Sequence, residues 1–419
     1  MTAQTTFTPA LQLPGLDDIR RAAEVIRGHV VLTPCVEAPR MAAQTGVSKL
    51  YLKLENQQFT GSFKDRGAFN KLKSLTPDEA HRGVIAMSAG NHAQGVAYHA
   101  QQLGIPATIV MPDGTPFTKI ERTASFGPRV MLQGEGIDAA ATFAREVAAK
   151  ENLVFVHPYD DPYIVAGQGT IGLELLEQAP DLDCLIIPIG GGGLISGIAT
   201  AIKAVKPEIE IYGVESALYP SMHHAVNGLA PVNGGQTLAE GIAVKSPGAL
   251  TRAIVERLVK QVLLVDEIAI ERAVHMLVET QRLVAEGAGA AGLAALLAHA
   301  ELFKDRKVGL VICGGNIDAR MLAQVMMRGL VREGRIATLR IEIADQPGVL
   351  AAVSRLIGST GANIIEVHHQ RMFFDLPVKR ADIDVSLETR NPAHVSEIIG
   401  KLEEAGFATR RLSSHSTEG

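Results

Sequence analysis

The sequence predicts an α/β protein that ends in a second, smaller unit of half-buried strands and helices. Up to about residue 330, short continuous apolar runs alternate with helical patterns, as in a parallel sheet covered on both faces. Beyond residue 335 the continuous runs give way to apolar/polar alternation, the pattern of strands with one face in water. Between the two lies a short charged linker, Val331-Arg332-Glu333-Gly334-Arg335. A chain of 419 residues suits two or three domains, and 47% hydrophobic with 20% charged residues is an ordinary globular composition.

The elements follow in order. Residues 16–27 alternate apolar and charged positions at helical spacing, opened by Asp17 and Asp18. A strand-like run at 49–54 leads through a polar loop into a helix predicted to start near Ser62, with Thr60 or Ser62 as its N-cap. Further strands are predicted at 84–87, 107–111, 129–132, 153–156, 185–189, 210–214, 262–265 and 308–312. Helices fall between them, such as 91–103, 137–152, 193–205 and 267–283. The tail reads strand 336–344, helix 347–359, strands 362–369 and 381–387, helix 392–405 and strand 407–412, a βαββαβ unit of the ferredoxin-like kind.

Composition narrows the function. A net charge of −5 gives no basic patch for nucleic acid. No apolar run reaches the ~20 residues that span a bilayer, and residues 1–14 lack a signal peptide's basic start and apolar core. Three widely spaced cysteines, Cys35, Cys184 and Cys313, argue against a disulfide framework. The expectation is a cytoplasmic protein that binds neither nucleic acid nor membrane.

Three strand ends and one lysine point to chemistry. Lys64 falls in the first turn of its helix, the positive end of the dipole, beside Phe63 and before Arg66. A cation so placed loses its proton more easily, as an amine that forms Schiff bases must. Read alone, it is equally a solvated lysine at a helix start. Gly190-Gly191-Gly192-Gly193-Leu194 follows a buried strand and opens a helix, so backbone N–H groups converge on an anion. The run matches neither G-x-G-x-x-G nor G-x-x-x-x-G-K-[ST], which favours one isolated phosphate over a nucleotide. At Ser88-Ala89-Gly90-Asn91-His92 a second strand-to-helix junction offers N–H groups, a hydroxyl and an amide to a carboxylate, or serves only as a capped helix start. Cys313-Gly314-Gly315-Asn316 ends a third strand, where Cys313 is either a buried hydrophobe or a polar contact to a ring in the cleft.

A Schiff-base lysine, a phosphate cradle and a carboxylate cradle at strand ends of one sheet together suggest pyridoxal 5'-phosphate. Here the chain resembles the pyridoxal-phosphate-dependent serine/threonine dehydratases. The resemblance lies in Thr60-Gly61-Ser62-Phe63-Lys64-Asp65-Arg66-Gly67, in the Ser88 to Gly95 junction, and in the glycine run. His157-Pro158, Ala166-Gly167-Gln168-Gly169-Thr170, Glu286-Gly287-Ala288-Gly289 and Cys313-Gly314-Gly315-Asn316 complete it. It extends from about residue 15 to 325 and implies the tryptophan-synthase-β-like fold (fold type II), α/β with two open parallel-type sheets. A catalytic domain over residues 1–330 would hold a small lobe, roughly 50–155, inserted in a larger one. After the linker at 331–335, residues 336–415 resemble an ACT domain, with Asp345-Gln346-Pro347-Gly348 at its first strand–helix turn. The combination is most similar to threonine ammonia-lyases with a single C-terminal ACT domain.

The resemblance also implies roles. Lys64 would carry the cofactor and later take the substrate's α-proton; Phe63 and Gly241 would lie against the two ring faces. Asn91 would bind the phenolic oxygen, and Gly190, Gly191, Gly192, Gly193 and Leu194 the phosphate. Cys313 would face the pyridine nitrogen, and Ser88, Ala89, Asn91 and His92 would hold the substrate carboxylate. A thiol cannot keep the ring nitrogen protonated, which favours loss of a β-leaving group over transamination. Threonine would give 2-oxobutanoate and ammonia, and serine would give pyruvate. Serine racemases resemble this chain but place a serine where Ala89 stands, so racemisation is expected to be poor. Some relatives bind a divalent cation near Gly213-Val214-Glu215, but no further acid follows here until Glu240, so no metal is expected. The pairs His223-His224 and His368-His369 read as surface residues rather than ligands. A homodimer or homotetramer is expected, with an amino-acid effector at the ACT domain. Two alternatives stand beside this reading: a serine or threo-3-hydroxyaspartate dehydratase, and a catalytically silent amino-acid sensor.

Overall fold

The computed structural model describes residues 13–232, 234–370 and 380–412. Much of residues 1–14 and the end of the predicted last domain, 413–415, thus lie outside the described residues. The strands in chain order are β1 (Cys35–Glu37), β2 (Lys49–Lys53), β3 (Val84–Met87), β4 (Ala107–Met111), β5 (Arg129–Leu132), β6 (Val154–Phe155), β7 (Cys184–Pro188), β8 (Glu210–Ser216), β9 (Gln261–Val265), β10 (Lys307–Val311), β11 (Ile336–Ala344), β12 (Asn363–Gln370), β13 (Arg380–Glu388) and β14 (Thr409–Leu412). By internal contacts the chain divides into two compact units, up to Ile317 and from Asp318 onward. The helix Ala319–Arg332 therefore counts with the second unit.

The first unit contains two open sheets. The larger runs β1-β2-β10-β7-β8-β9 and the smaller β5-β4-β3-β6. All their pairings are parallel except that of β1 with β2, an antiparallel edge of three residues. That edge strand was not expected, since three residues are too few to show a period. β2 pairs with β10 in the larger sheet, and β3 at Val84 is the first strand of the smaller one in chain order. The sheet order places the loops after β2, β10 and β7 side by side at one carboxyl edge. Ligands bind at such edges in open α/β sheets.

Two helices that matter for the site pack on a third. Helix Lys64–Lys73 and helix Gly193–Val205 both lie against helix Pro162–Gln178. The approaches are too close for side chains. A Cβ on Gly167 would sit 2.7 Å from the Gly67 Cα, and one on Gly197 would sit 2.3 Å from the Val165 carbonyl oxygen. Glycines on both sides of these contacts, Gly67 with Gly167 and Gly169 with Gly197, thus let the lysine helix and the glycine-run helix pack backbone to backbone on the central helix.

A buried ionic cluster anchors the lysine helix. The Arg66 guanidinium donates to both Glu55 oxygens at 2.7 and 2.8 Å and to both Glu174 oxygens at 2.6 and 2.8 Å. Lys53 donates to Glu174, Gln178 and the Thr33 carbonyl. Arg66, Lys53 and Glu55 are fully buried.

In the second unit the sheet order is β12-β13-β11-β14, antiparallel throughout. Leu339, Ile341, Ile343, Ile383 and Val385 form its core with Val353, Ile357, Ile398 and Leu402 from helices Val349–Ser359 and Pro392–Glu404. Asn391 caps the second helix by accepting from the His394 N–H, with Pro392 in its first turn. Among the described residues no helix is long and apolar enough to cross a membrane.

Candidate active site

Lys64 is the first residue of its helix, two positions later than the predicted start. Neither predicted cap is used. Thr60 instead donates its hydroxyl and its N–H to the Asp65 carboxylate, and Phe63 stands at the N-cap. The loop before the helix is zipped to the strand end after β10. Phe63 N–H donates to the Cys313 carbonyl at 3.1 Å, Gly315 N–H donates to the Gly61 carbonyl at 2.9 Å, and Ser62 bridges Gly314.

The Lys64 amine donates to the Pro158 carbonyl at 2.6 Å and lies 5.1 Å from the centre of the Phe63 ring. Desolvation pulls its pKa from 10.5 down to about 8, against the upward pull of Cys313 and Glu286. From its place two residues on, Arg66 is expected to share in that lowering. Arg66 is instead spent on Glu55 and Glu174, so burial is the main cause.

From Pro158 the contacts run round a closed circuit. The Tyr159 ring covers Gly191 so closely that a Cβ there would lie 2.2 Å from it. Gly192 has φ +96°, which a glycine adopts without strain, and the helix starts at Gly193. Thr251 holds the run from behind, its hydroxyl donating to the Gly191 carbonyl at 2.6 Å. The N–H groups of that helix's first turn have no partner within the helix. A Cβ on Gly190 would meet the Gly241 carbonyl at 3.2 Å, and one on Gly241 would lie 3.5 Å from the Glu286 carboxyl. The Asn91 amide donates to Glu286 at 2.6 Å, and Glu286 N–H donates to Gly314, next to Cys313. The circuit then returns through Phe63 to Lys64. The structure thus brings together Lys64, Phe63, Asn91, the glycine run through Leu194, Gly241 and Cys313. Sequence reasoning gave Glu286 no role, because nothing in a lone Glu-Gly-Ala-Gly says what its side chain meets.

The junction after β3 offers a half-buried Ser88, Ala89, Gly90 and Asn91 at the start of helix Asn91–Leu103. The Ser88 hydroxyl accepts from Gly90 N–H. His92 is the second residue of that helix. Its ring is buried and donates from Nε2 to the Val156 carbonyl at 3.0 Å, and burial drops its pKa to about 3. Only the backbone N–H of His92 is left to face a carboxylate. Cys313 is buried and its thiol is held well above its ordinary pKa by desolvation, so it stays protonated.

Glu215 lies at the end of β8, and its carboxyl is spent. It accepts from the N–H groups of Met222 and His223, each at 2.8 Å, and from the Ser221 hydroxyl. N–H donors aimed at both oxygens do not fit a metal ligand. His223 and His224 each bond a separate carbonyl, those of Val262 and Ala230.

The fold, the desolvated lysine and the glycine cradle define a pyridoxal-phosphate enzyme followed by a second, antiparallel α/β unit. The family model for pyridoxal-phosphate dependent enzymes matches residues 26–314, and that for the ACT domain matches residues 332–405. The chain belongs to the pyridoxal-phosphate dependent enzyme family. It is 44% identical over 397 residues to an L-threonine ammonia-lyase of Thermotoga maritima, covering 94% of this chain and 98% of that one. Among solved structures it is similar to the processed threonine deaminase isoform 2 of Solanum lycopersicum, with TM-score 0.70, 36% identity, and 74% and 86% of the two chains covered. It is also similar to maize serine racemase, with TM-score 0.71, 35% identity, and 77% and 100% covered.

Proposed function

We propose that this chain is a threonine ammonia-lyase, converting L-threonine to 2-oxobutanoate and ammonia and L-serine to pyruvate and ammonia. One observation carries the reading: a desolvated amine, at about 8, closes a ring of contacts with a glycine run in which Gly191 and Gly192 have no room for a Cβ. The residues fit pyridoxal 5'-phosphate. Lys64 would hold its aldehyde carbon, the N–H groups of Gly190, Gly191, Gly192, Gly193 and Leu194 its phosphate, and Asn91 its phenolic oxygen. Phe63 and Gly241 would flank the ring, with Cys313 at the nitrogen. When bound, the cofactor supplies a carbonyl for the substrate amine and a ring that withdraws electrons from Cα.

The protein's own groups do the rest. Near neutral pH an amine of pKa about 8 is partly unprotonated, so Lys64 Nζ can accept the α-proton. The Pro158 carbonyl keeps that nitrogen in place. The N–H groups at the start of helix Asn91–Leu103 suit the substrate carboxylate. Cys313, a neutral thiol, puts no negative charge at the ring nitrogen, and that favours loss of the β-hydroxyl as water. The enamine set free hydrolyses to the oxo acid and ammonia. Ala89 has no proton to offer the opposite face of Cα, which argues for a lyase despite the likeness to a serine racemase.

The ACT domain would bind an amino-acid effector such as isoleucine or valine, in a cytoplasmic homodimer or homotetramer. The test is kcat/KM of the purified protein for threonine, serine and threo-3-hydroxyaspartate. Threonine is expected to lead. A rate for hydroxyaspartate far above that for threonine would assign the other dehydratase, and no turnover of any of them would leave an amino-acid sensor.

A further inference from the structure

Glu286 stands at the N-cap of helix Gly287–Ala298, where a carboxylate ordinarily accepts from the helix's own N–H groups. It makes no such bond. Its side chain turns instead to the Asn91 amide, 2.6 Å away on the helix that follows β3 of the smaller sheet. Room for the carboxyl exists because its neighbours are glycines. A Cβ on Gly314 would lie 2.1 Å from the Glu286 oxygen and 3.1 Å from the Asn91 nitrogen, and one on Gly241 would lie 3.5 Å from Glu286. A forfeited cap inside a cleft marks a side chain held for another purpose.

The hydrogen bonds around Asn91 fix what that purpose is. The Thr60 carbonyl can only accept, so the Asn316 group 2.9 Å from it is the amide NH2. The same nitrogen lies 2.5 Å from Asn91, which must therefore present its carbonyl oxygen there. The Asn91 NH2 then faces Glu286, which accepts from it. A backbone carbonyl at one end and a carboxyl at the other thus determine the Asn91 amide orientation. One Asn91 amide hydrogen goes to Glu286, and the second remains for a ligand. The electrostatics agree with this coupling. Burial raises the Glu286 carboxyl to about 7, and donation from Asn91 is the largest influence in the other direction, ahead of Lys119 and Lys64. Glu240 pushes it further up.

We infer that Glu286 is a positioning residue: by accepting one Asn91 amide hydrogen, it aims the other at the cofactor's phenolic oxygen. The inference rests on the reading of the site as a pyridoxal-phosphate site. It makes the Asn91 hydrogen bond the route by which Glu286 supports cofactor binding, separate from its electrostatic pull on Lys64, and a double-mutant cycle measures that coupling.

The experiment compares the parent holoenzyme with Glu286→Gln, Glu286→Ala, Asn91→Ala and the Glu286→Ala/Asn91→Ala pair. Two readouts besides turnover are the dissociation constant of pyridoxal 5'-phosphate from the refolded or dialysed protein and the pH dependence of the bound cofactor's visible absorbance. Glutamine keeps an acceptor oxygen, so Glu286→Gln is expected to stay within about twofold of the parent constant. Glu286→Ala is expected to weaken cofactor binding roughly tenfold, the size of one hydrogen bond, and to displace the absorbance titration. In the Asn91→Ala background the same change is expected to add less than twofold. Parent-like values for Glu286→Ala would overturn the inference. So would damage in Glu286→Gln equal to that in Glu286→Ala, or an undiminished effect without Asn91. A parent protein with no cofactor absorbance at all would instead remove the functional reading beneath it.

Discussion

The Lys64 amine is held at 2.6 Å by the Pro158 carbonyl, one residue before the ring that covers Gly191. That bond ties the Lys64 nitrogen to the wall of the glycine run. Lys64→Ala is expected to abolish ammonia release while leaving the fold intact. The sign of its stability effect follows from the pKa. Between about 8 and 10.5 the unfolded chain keeps the lysine proton and the folded chain gives it up, so the cofactor-free parent gains stability as pH rises through that window. Below 8 the buried charge is a standing cost that the alanine variant lacks. Unfolding curves of both cofactor-free proteins at several pH values give the difference, and a pH-independent difference would contradict the desolvation of Lys64.

Arg66 neutralises two carboxylates at once, one of them fully buried. Arg66→Met leaves Glu55 without its charge partner and is expected to destabilise the protein by about 3–5 kcal/mol. Adding Glu55→Gln should recover a large part of that loss, because the stranded charge is gone. Denaturant melts of the single and double variants decide the matter. If the single variant loses less than about 1 kcal/mol, the cluster is solvated rather than buried.

Gly191 shows the same logic in the cradle. Its missing side chain leaves no gap, since the Tyr159 ring already fills the place a Cβ would take. Gly191→Ala is expected to cost roughly 1–3 kcal/mol through overpacking and to weaken cofactor binding by more than tenfold, as measured by equilibrium dialysis. A Gly191→Ala protein with parent-like cofactor affinity would show that the run is no cradle.

How much of this was legible beforehand depends on sequence distance. The glycine run announces itself because strand, glycines and helix are consecutive, and Lys64 because its helix start is local. The tail was legible from alternation, since Leu339, Ile341 and Ile343 point one way and the residues between them the other. The Asn91–Glu286 and Asn91–Asn316 bonds join residues 195 and 225 positions apart, which no local pattern encodes. Thr60 looked like a cap by type, but Asp65, five residues on, outcompeted the helix for its hydroxyl. Arg66 looked like a neighbour able to lower the Lys64 pKa; its partners Glu55 and Glu174 come from separate elements and draw it away.

Ala89 offers a gain-of-function test. The position is half-buried beside Ser88 and Asn91, at the junction suited to the substrate carboxylate. Ala89→Ser adds a hydroxyl able to donate a proton where the parent has a methyl group. The variant is expected to form D-serine from L-serine above the parent's level, read by chiral chromatography of the amino acid left in the reaction. Unchanged D-serine would mean that position 89 does not reach Cα.

The division of the chain at Ile317 sets the last prediction. The lysine, the glycine run and Cys313 all precede it, and the antiparallel sheet with its two helices follows it, built around its own core. Deleting the residues after Ile317 is therefore expected to leave lyase turnover within severalfold of the parent. Any response to isoleucine or valine should vanish, because an effector can shift the active site only through a site it occupies. Threonine turnover is measured with and without each amino acid for both proteins. A truncated protein that still responds would place the effector in the first unit. Loss of all turnover, with the circular dichroism spectrum retained, would mean that the catalytic lobes need the second unit to work.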